Sequence, residues 1–201
     1  MRLLRKFWNF LGQYQTAAVR WLHAAVVIGV IVQLLNSNGM AFNRTTGAVL
    51  ATPIAEFSTW LHIGLGLTLA PLTLVFIAVA IGTHGLRHYF PYLWGDLTQA
   101  KADLAASLQL RLAEPQPGGL ASIVTGLGFG ALLLAVGSGS VWFLLWRNGS
   151  AFTHSAKEVH ETLVGLIEVY FVGHGSMAML HFLSWLKTAR AHPAPERRDE
   201  R

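Results

Sequence analysis

Long apolar runs dominate the chain and predict its secondary structure. Four of them are long enough to cross the hydrocarbon core of a bilayer, which takes roughly 20 helical residues. They cover residues 17–35, 57–81, 120–146 and 160–187, the last with an apolar centre from Leu163 to Leu186. The runs lack strand-like alternation, and backbone polar groups in lipid must bond within their own segment. The pattern therefore predicts an all-α protein, an integral membrane bundle of four helices.

Polar segments lie between and beyond these runs. Residues 1–15 interleave bases with Leu, Phe and Trp, which fits either an amphipathic helix on the inner leaflet or a frayed basic tail. Residues 83–119 contain a short helical pattern around 96–112 and end in a Pro- and Gly-rich turn. Residues 191–201 are polar and predict a disordered tail. The expected organisation is a single membrane domain over residues 1–190.

The basic residues are sorted to one side of the predicted bundle. Twelve of the fifteen lie in the N-terminal segment and helix entry, in the connection between the second and third runs, or in the C-terminal tail. The other three are Arg44, Arg147 and Lys157. Because cytoplasmic loops are rich in Lys and Arg, both termini and the middle connection are expected in the cytoplasm. The net charge of +5 thus indicates topology, and no nucleic-acid partner is expected.

Composition excludes several chemistries. The chain has no cysteine, so disulfides, iron–sulfur clusters and covalently attached c-type haem are ruled out. Charged residues make up 12% of the chain, compared with roughly 25% in soluble domains. Nine histidines are a surplus in so apolar a chain.

Five histidines lie in or at the ends of predicted spans, where ionisable side chains are costly and mark functional sites. They are His23, His62, His160, His174 and His181. His160 and His174 are fourteen residues apart, within about 40° of one helix face and about 21 Å apart along its axis. His62 lies at the depth of His160, and His23 lies in the same half of the bilayer as His174. The sequence therefore predicts two histidine pairs at two levels.

Two facing imidazoles suit a haem better than a bare metal ion. Zinc or copper takes three or four ligands at one point, whereas a haem needs one imidazole on each face of the ring. Gly64 and Gly66 follow His62, and Gly165 and Gly173 lie along the fourth span. These small residues leave room for a ring, and they also suit plain helix packing.

At these positions the sequence resembles the bacterial cytochrome b561 superfamily, which includes the cytochrome b subunits of membrane hydrogenases and formate dehydrogenases. The resemblance covers roughly residues 15–190. It rests on Arg20-Trp21-Leu22-His23, on His62-Ile63-Gly64-Leu65-Gly66, and on Val159-His160-Glu161 followed by His174 and His181. It implies two haem b groups per chain, with His23 and His174 as ligands of an inner haem and His62 and His160 as ligands of an outer one.

The resemblance also implies a function. It indicates electron transfer across a bacterial inner membrane, between quinone or quinol and a periplasmic cytochrome or oxidoreductase subunit. Bis-histidine iron has no open position, so no catalytic residue is predicted and quinone oxidoreductase activity stays open. The alternatives are a haem-carrying membrane anchor subunit of a larger oxidoreductase complex, and a haem-free membrane protein that handles protons or metal ions. A homodimer stays open.

Two residues near the inner pair have more than one interpretation. Arg20 suits a haem propionate, or it snorkels to the membrane interface. His181 is the alternative to His174 as the partner of His23; otherwise it bonds a propionate or a backbone carbonyl.

Three further residues also keep two interpretations. Glu168 is the carboxyl group deepest in a span, and it suits an interhelical hydrogen bond or proton delivery. His84 and His88, followed by several aromatic residues, suit a quinone pocket or an interfacial aromatic belt.

Overall fold

The computed structural model describes residues 2–42, 49–109 and 111–191. Within these ranges the chain forms seven α-helices and one short 3-10 helix, at Pro91–Trp94, and no strand. The α-helices are α1 (Arg2–Leu11), α2 (Ala17–Ser37), α3 (Pro53–His84), α4 (Leu86–Tyr89), α5 (Thr98–Leu108), α6 (Leu120–Arg147) and α7 (Thr153–Ala191). The predicted disordered tail lies almost wholly outside the described residues.

Four of these helices are long and apolar enough to cross a membrane. They are α2, α3, α6 and α7, with mean hydropathy of 1.9, 2.3, 2.1 and 1.5 over their most apolar windows. Each contains one of the predicted spans, and α3 and α7 begin several residues before the apolar run does. The all-α membrane bundle predicted from the sequence is confirmed.

Hydroxyl caps and glycine fix where these helices begin and end. The Thr16 hydroxyl accepts a hydrogen bond from the Val19 N–H at the start of α2, and the Thr52 hydroxyl does the same for Ala55 at the start of α3. The end of α3 is set by Gly85, whose φ of 84° is a conformation that favours glycine.

The long helices pack in the order α2, α3, α6, α7. The closest packing joins α6 to α7 and α2 to α3, with α3 lying against α6. The buried core between them includes Val26, Phe76, Phe129, Leu132 and Ile167, one or more from each helix. The helices α2 and α7, which share no such extensive contact, approach each other through the histidine side chains described below.

Helix α1 folds back onto the C-terminal part of α7. Phe10, Phe182 and Leu186 form a small buried cluster, and the Phe7 ring meets the Phe182 ring edge-on at 5.1 Å. Of the two interpretations of residues 1–15, the structure therefore supports the amphipathic helix, whose Phe7, Phe10 and Leu11 contact protein whereas Leu3 and Leu4 are exposed.

A buried carboxylate ties the connection between α3 and α6 to the bundle. Asp103 in α5 accepts hydrogen bonds of 2.8 Å from the Leu120 backbone N–H and from the Gln99 side chain. The first residue before α6 is Gly119, which has no side chain to cap the helix, so Asp103 provides the missing acceptor. This connection also contains the predicted helix around residues 96–112, observed as α5.

Candidate functional site

His62 of α3 and His160 of α7 face each other inside the bundle. Their ring centroids are 6.2 Å apart and the ring planes are 78° apart. Two imidazoles bound on opposite sides of one metal ion put their centroids about 6 Å apart, because each metal–nitrogen bond is about 2 Å long. The spacing of this pair therefore fits one iron atom between the rings.

Helix α6 positions the His160 ring. The Ser138 hydroxyl lies 3.1 Å from His160 Nδ1, and a hydrogen bond at Nδ1 leaves Nε2 free for a metal. Gly139 makes room for the ring, since a Cβ at this position would lie 2.9 Å from His160 Cε1. The small residues of α6 thus serve the site as well as the packing.

Helix α2 holds the segment around His62. The Gln33 side-chain N–H donates a 2.9 Å hydrogen bond to the His62 carbonyl oxygen. A Cβ at Gly66 would lie 2.9 Å from Gln33 Nε2, so glycine there lets the amide reach across. His62 Nδ1 and Gln33 Oε1 are buried and have no partner among the described residues, which is unusual for buried polar atoms.

A cavity lies between His62 and His160. Its empty volume is about 780 Å³, part of it open to the outside, and all four long helices line it. The lining is mainly apolar, with Ile63, Leu132 and Trp142 among its side chains, whereas Gln33 and Ser140 are polar. Ligand pockets usually have this mixture of many apolar and few polar groups.

These residues fit a haem. In the described part of the chain, no group of three or more His, Asp or Glu side chains could hold a metal ion. A pair of imidazoles, an apolar cavity and unpartnered buried polar atoms match a planar ring ligated on both faces.

His23 of α2 and His174 of α7 form the second pair. Their ring centroids are 6.3 Å apart, with the planes 87° apart, so the spacing repeats that of the first pair. The Gln15 amide nitrogen lies 3.4 Å from His23 Nδ1, and the Phe76 ring stacks on His23 at 5.8 Å. The Tyr170 ring stacks on His174 at 5.0 Å, with the planes 13° apart. Each imidazole of this pair is thus held by at least one other side chain.

Tyr170 reaches its place because of a glycine in α6. A Cβ added at Gly128 would overlap the Tyr170 ring and hydroxyl. Gly128 is buried, and Tyr170 lies on α7 between His160 and His174. The close approach of α6 to α7 at Gly128 therefore positions the ring that stacks on His174.

We expect Gly128→Ala to destabilise the protein by about 1–3 kcal/mol, the usual cost of overpacking a tight contact. Gly130→Ala on the same helix is the matched control, since a Cβ there meets nothing within 4 Å. Alanine in place of an interior helical glycine gains about 0.5–1 kcal/mol, so the control is expected to be neutral or stabilised. Thermal unfolding in detergent checks this, and equal midpoints for the two variants would contradict the packing argument.

The other predicted site residues have different surroundings. His181 lies seven residues beyond His174 on α7 and is half-buried, and the ring facing His23 is that of His174. Arg20 donates a 3.2 Å hydrogen bond to the Trp8 carbonyl oxygen and lies 4.7 Å over the Trp8 ring. The structure thus brings together the expected four histidines, and ties Arg20 to α1. The ligand roles remain predictions.

Several residues of the site were missed by the sequence analysis. They are Gln15, Gln33, Ser138, Tyr170 and Phe76, which contact the paired histidines or their backbone. The one signal in the sequence was the polar or small character of Gln33 and Ser138 inside apolar runs, and for Ser138 it indicated helix packing only.

A third group of histidines lies where α3 ends. The His84 and His88 rings stack with centroids 5.0 Å apart, and His88 Nε2 lies 3.2 Å from the Ser122 hydroxyl. Burial, and then the neighbouring His84, lower the pKa of His88 below its usual value. His88 is therefore expected to be neutral at pH 7, with a ring nitrogen able to take up a proton.

Ring contacts run from this group to the His23–His174 pair. Successive centroids are 4.6 Å apart from His88 to Tyr89, 5.1 Å to Phe129, 5.5 Å to Phe76 and 5.8 Å to His23. The intermediate rings are buried in the core of the bundle. The cluster at the end of α3 and the second histidine pair are thus joined by continuous aromatic packing.

The fold and the site together define a class of protein, a helical membrane bundle with paired histidines between its helices. A model of the prokaryotic cytochrome b561 family matches residues 14–191, and the chain belongs to this family. No curated protein and no solved structure matches the chain. The family resemblance predicted from the sequence is confirmed, and the protein is a membrane cytochrome of the b type whose role is electron transfer.

Proposed function

We propose that this chain binds two haem b groups and carries electrons one at a time from one face of a bacterial inner membrane to the other. The observation that carries the proposal is the presence of two histidine pairs, with centroid separations of 6.2 and 6.3 Å. His62 and His160 would hold one haem, and His23 and His174 the other. The haem supplies an iron atom that gains or loses one electron, and the protein sets its surroundings.

The chain's own residues fix and shield the two sites. Ser138 orients the His160 imidazole, because its hydroxyl oxygen accepts a hydrogen bond from Nδ1 and would leave Nε2 free to bind the metal. The Gln15 amide nitrogen lies 3.4 Å from His23 Nδ1 and restricts the position of that ring. The apolar lining of the cavity keeps water away, and the low polarity around a haem influences its reduction potential. Gly66 and Gly139 keep space free beside the first pair.

The distribution of basic residues supports an orientation. With both termini and the connection between α3 and α6 in the cytoplasm, the His23–His174 pair lies toward the cytoplasm and the His62–His160 pair toward the periplasm. A periplasmic cytochrome or oxidoreductase subunit is the partner we propose at the periplasmic end.

Quinone or quinol is the partner we propose at the cytoplasmic end, beside His84, His88 and Tyr89. Oxidation of a quinol releases two electrons and two protons, and its reverse takes them up. A neutral His88 can accept or return a proton through its ring nitrogen, with the Ser122 hydroxyl as its neighbour. The aromatic packing from Tyr89 to His23 supports a short route between this histidine cluster and the second pair.

We expect purified chain to contain two haem b groups per polypeptide, measured as the pyridine haemochrome against protein determined by amino-acid analysis. A double variant, His23→Ala with His62→Ala, is the control and is expected to bind none. One haem per wild-type chain would overturn the two-site proposal. The lack of a sharp b-type α-band after reduction would overturn haem binding altogether and favour a haem-free role.

A further inference from the structure

The outward side of α7 carries a carboxyl group deep in the predicted fourth span. Glu168 lies eight residues beyond His160, so it is about 12 Å from the start of the span along the helix axis. Its side chain is exposed on the outside of the bundle and does not line the cavity between the histidines. Within the described residues it makes no interhelical hydrogen bond, one of the two roles expected from the sequence.

The other carboxyl groups on the exposed side of α7 have partners. Glu158 lies 3.4 Å from His154, and Glu161 forms an ion pair with Lys157 one turn away. Both lie near the start of α7, where water is close. Glu168 lies two turns deeper in the span than Glu161 and does not pair with Lys157.

The other long helices present no comparable group to lipid. Away from their first and last turns, the described parts of α2, α3 and α6 have no exposed ionisable side chain. Their exposed positions include Ile28, Leu74 and Leu134, which are 62%, 59% and 51% exposed. A carboxyl group facing lipid at mid-span is costly, so Glu168 marks a surface that something other than lipid covers.

The residues around Glu168 form one face of the helix. Gly165, Glu168, Val169, Val172 and Ser176 follow the spacing that places residues on the same side of an α-helix, and we name this set the outer α7 face. Val169 and Val172 are 76% and 66% exposed, and a Cβ at Gly165 would meet nothing within 4 Å. Small and β-branched residues on such a face allow another helix to approach closely.

We propose that the outer α7 face is the contact between two copies of this chain, joined by a hydrogen bond between their Glu168 carboxyl groups. Two copies inserted in the same orientation are related by a two-fold axis along the membrane normal, so each residue meets its own counterpart at the same depth. A carboxylic acid both donates and accepts a hydrogen bond, and its neutral form costs less in hydrocarbon than its charged form. Glu168 is therefore complementary to itself, whereas a different subunit would need its own polar group at this depth.

The chain contains no cysteine, so a single introduced cysteine tests the contact directly. In oxidised membranes, Val172→Cys is expected to give a disulfide-linked dimer on a non-reducing gel. Leu134→Cys is the matched control, because Leu134 is exposed on α6. It lies as many residues from the outer end of the third span, residue 146, as Val172 lies from the outer end of the fourth span, residue 160, so the two positions have the same depth in the membrane. Equal cross-linking of the two variants would overturn the proposal.

A second pair of variants tests the carboxyl group. Glu168→Leu is expected to weaken dimerisation about tenfold, in line with interhelical hydrogen bonds in membranes, and Glu168→Gln is expected to retain it because an amide also donates and accepts. The dimer fraction is measured by native mass spectrometry, and the visible spectrum reports whether each variant is folded. An unchanged dimer fraction in Glu168→Leu would overturn the role of Glu168. Haem content is read separately, so failure of this proposal is distinct from failure of the two-haem proposal.

Discussion

Replacing either His62 or His160 with alanine is expected to remove the same haem and to leave the other haem in place. The two rings face each other at 6.2 Å across one cavity, so each imidazole would be one of two axial ligands of a single iron. With one of these imidazoles removed, the remaining one would hold a haem poorly in an apolar cavity. Haem content is expected to fall from two groups per chain to one in both variants.

The identity of the lost haem is the sharper measurement. Redox titration of each variant is expected to show one remaining transition, at the same potential in His62→Ala and His160→Ala. The haem that remains also shows that the bundle is folded. His154→Ala is the matched control on α7, because His154 is exposed and pairs with Glu158, and it should retain both transitions. If the two variants lose different transitions, the proposed pairing is wrong.

The depths of the paired histidines in the bundle could be predicted, because they depend only on helix periodicity. A rise of about 1.5 Å and a turn of about 100° per residue fix the depth and face of His160 relative to His174, whatever the helix packs against. The ends of the helices could not be read from the same pattern. Helix α7 begins at Thr153, ahead of the apolar run, and i,i+4 pairs such as His154–Glu158 and Lys157–Glu161 stabilise its polar N-terminal turns.

The contacts that complete the sites depend on tertiary structure. Arg20 meets the Trp8 carbonyl because α1 folds back, and no periodicity along the chain encodes that fold-back. Tyr170 fits against Gly128 because of the rotation of α6 and α7 about their axes, which packing sets. The same rotation turns Glu168 outward, whereas the sequence showed only that it lies deep in the fourth span.

His174→Ala and His181→Ala are expected to have opposite outcomes, and the comparison tests which histidine serves His23. In the structure the His174 ring lies 6.3 Å from His23 and stacks on Tyr170, whereas His181 lies two turns farther along α7. We therefore expect His174→Ala to lose one haem, the same one that His23→Ala loses.

His181→Ala is expected to keep both haems, because His181 is about 10 Å along the helix axis from His174 and cannot take its place without shifting α7 by two turns. Haemochrome quantitation and redox titration of the three variants, together with the double variant His23→Ala with His174→Ala, give the answer. The double variant is expected to match the single ones, since both ligands belong to one iron. One haem lost in His181→Ala and none in His174→Ala would reverse the assignment, and would mean that binding of the haem moves α7 relative to α2.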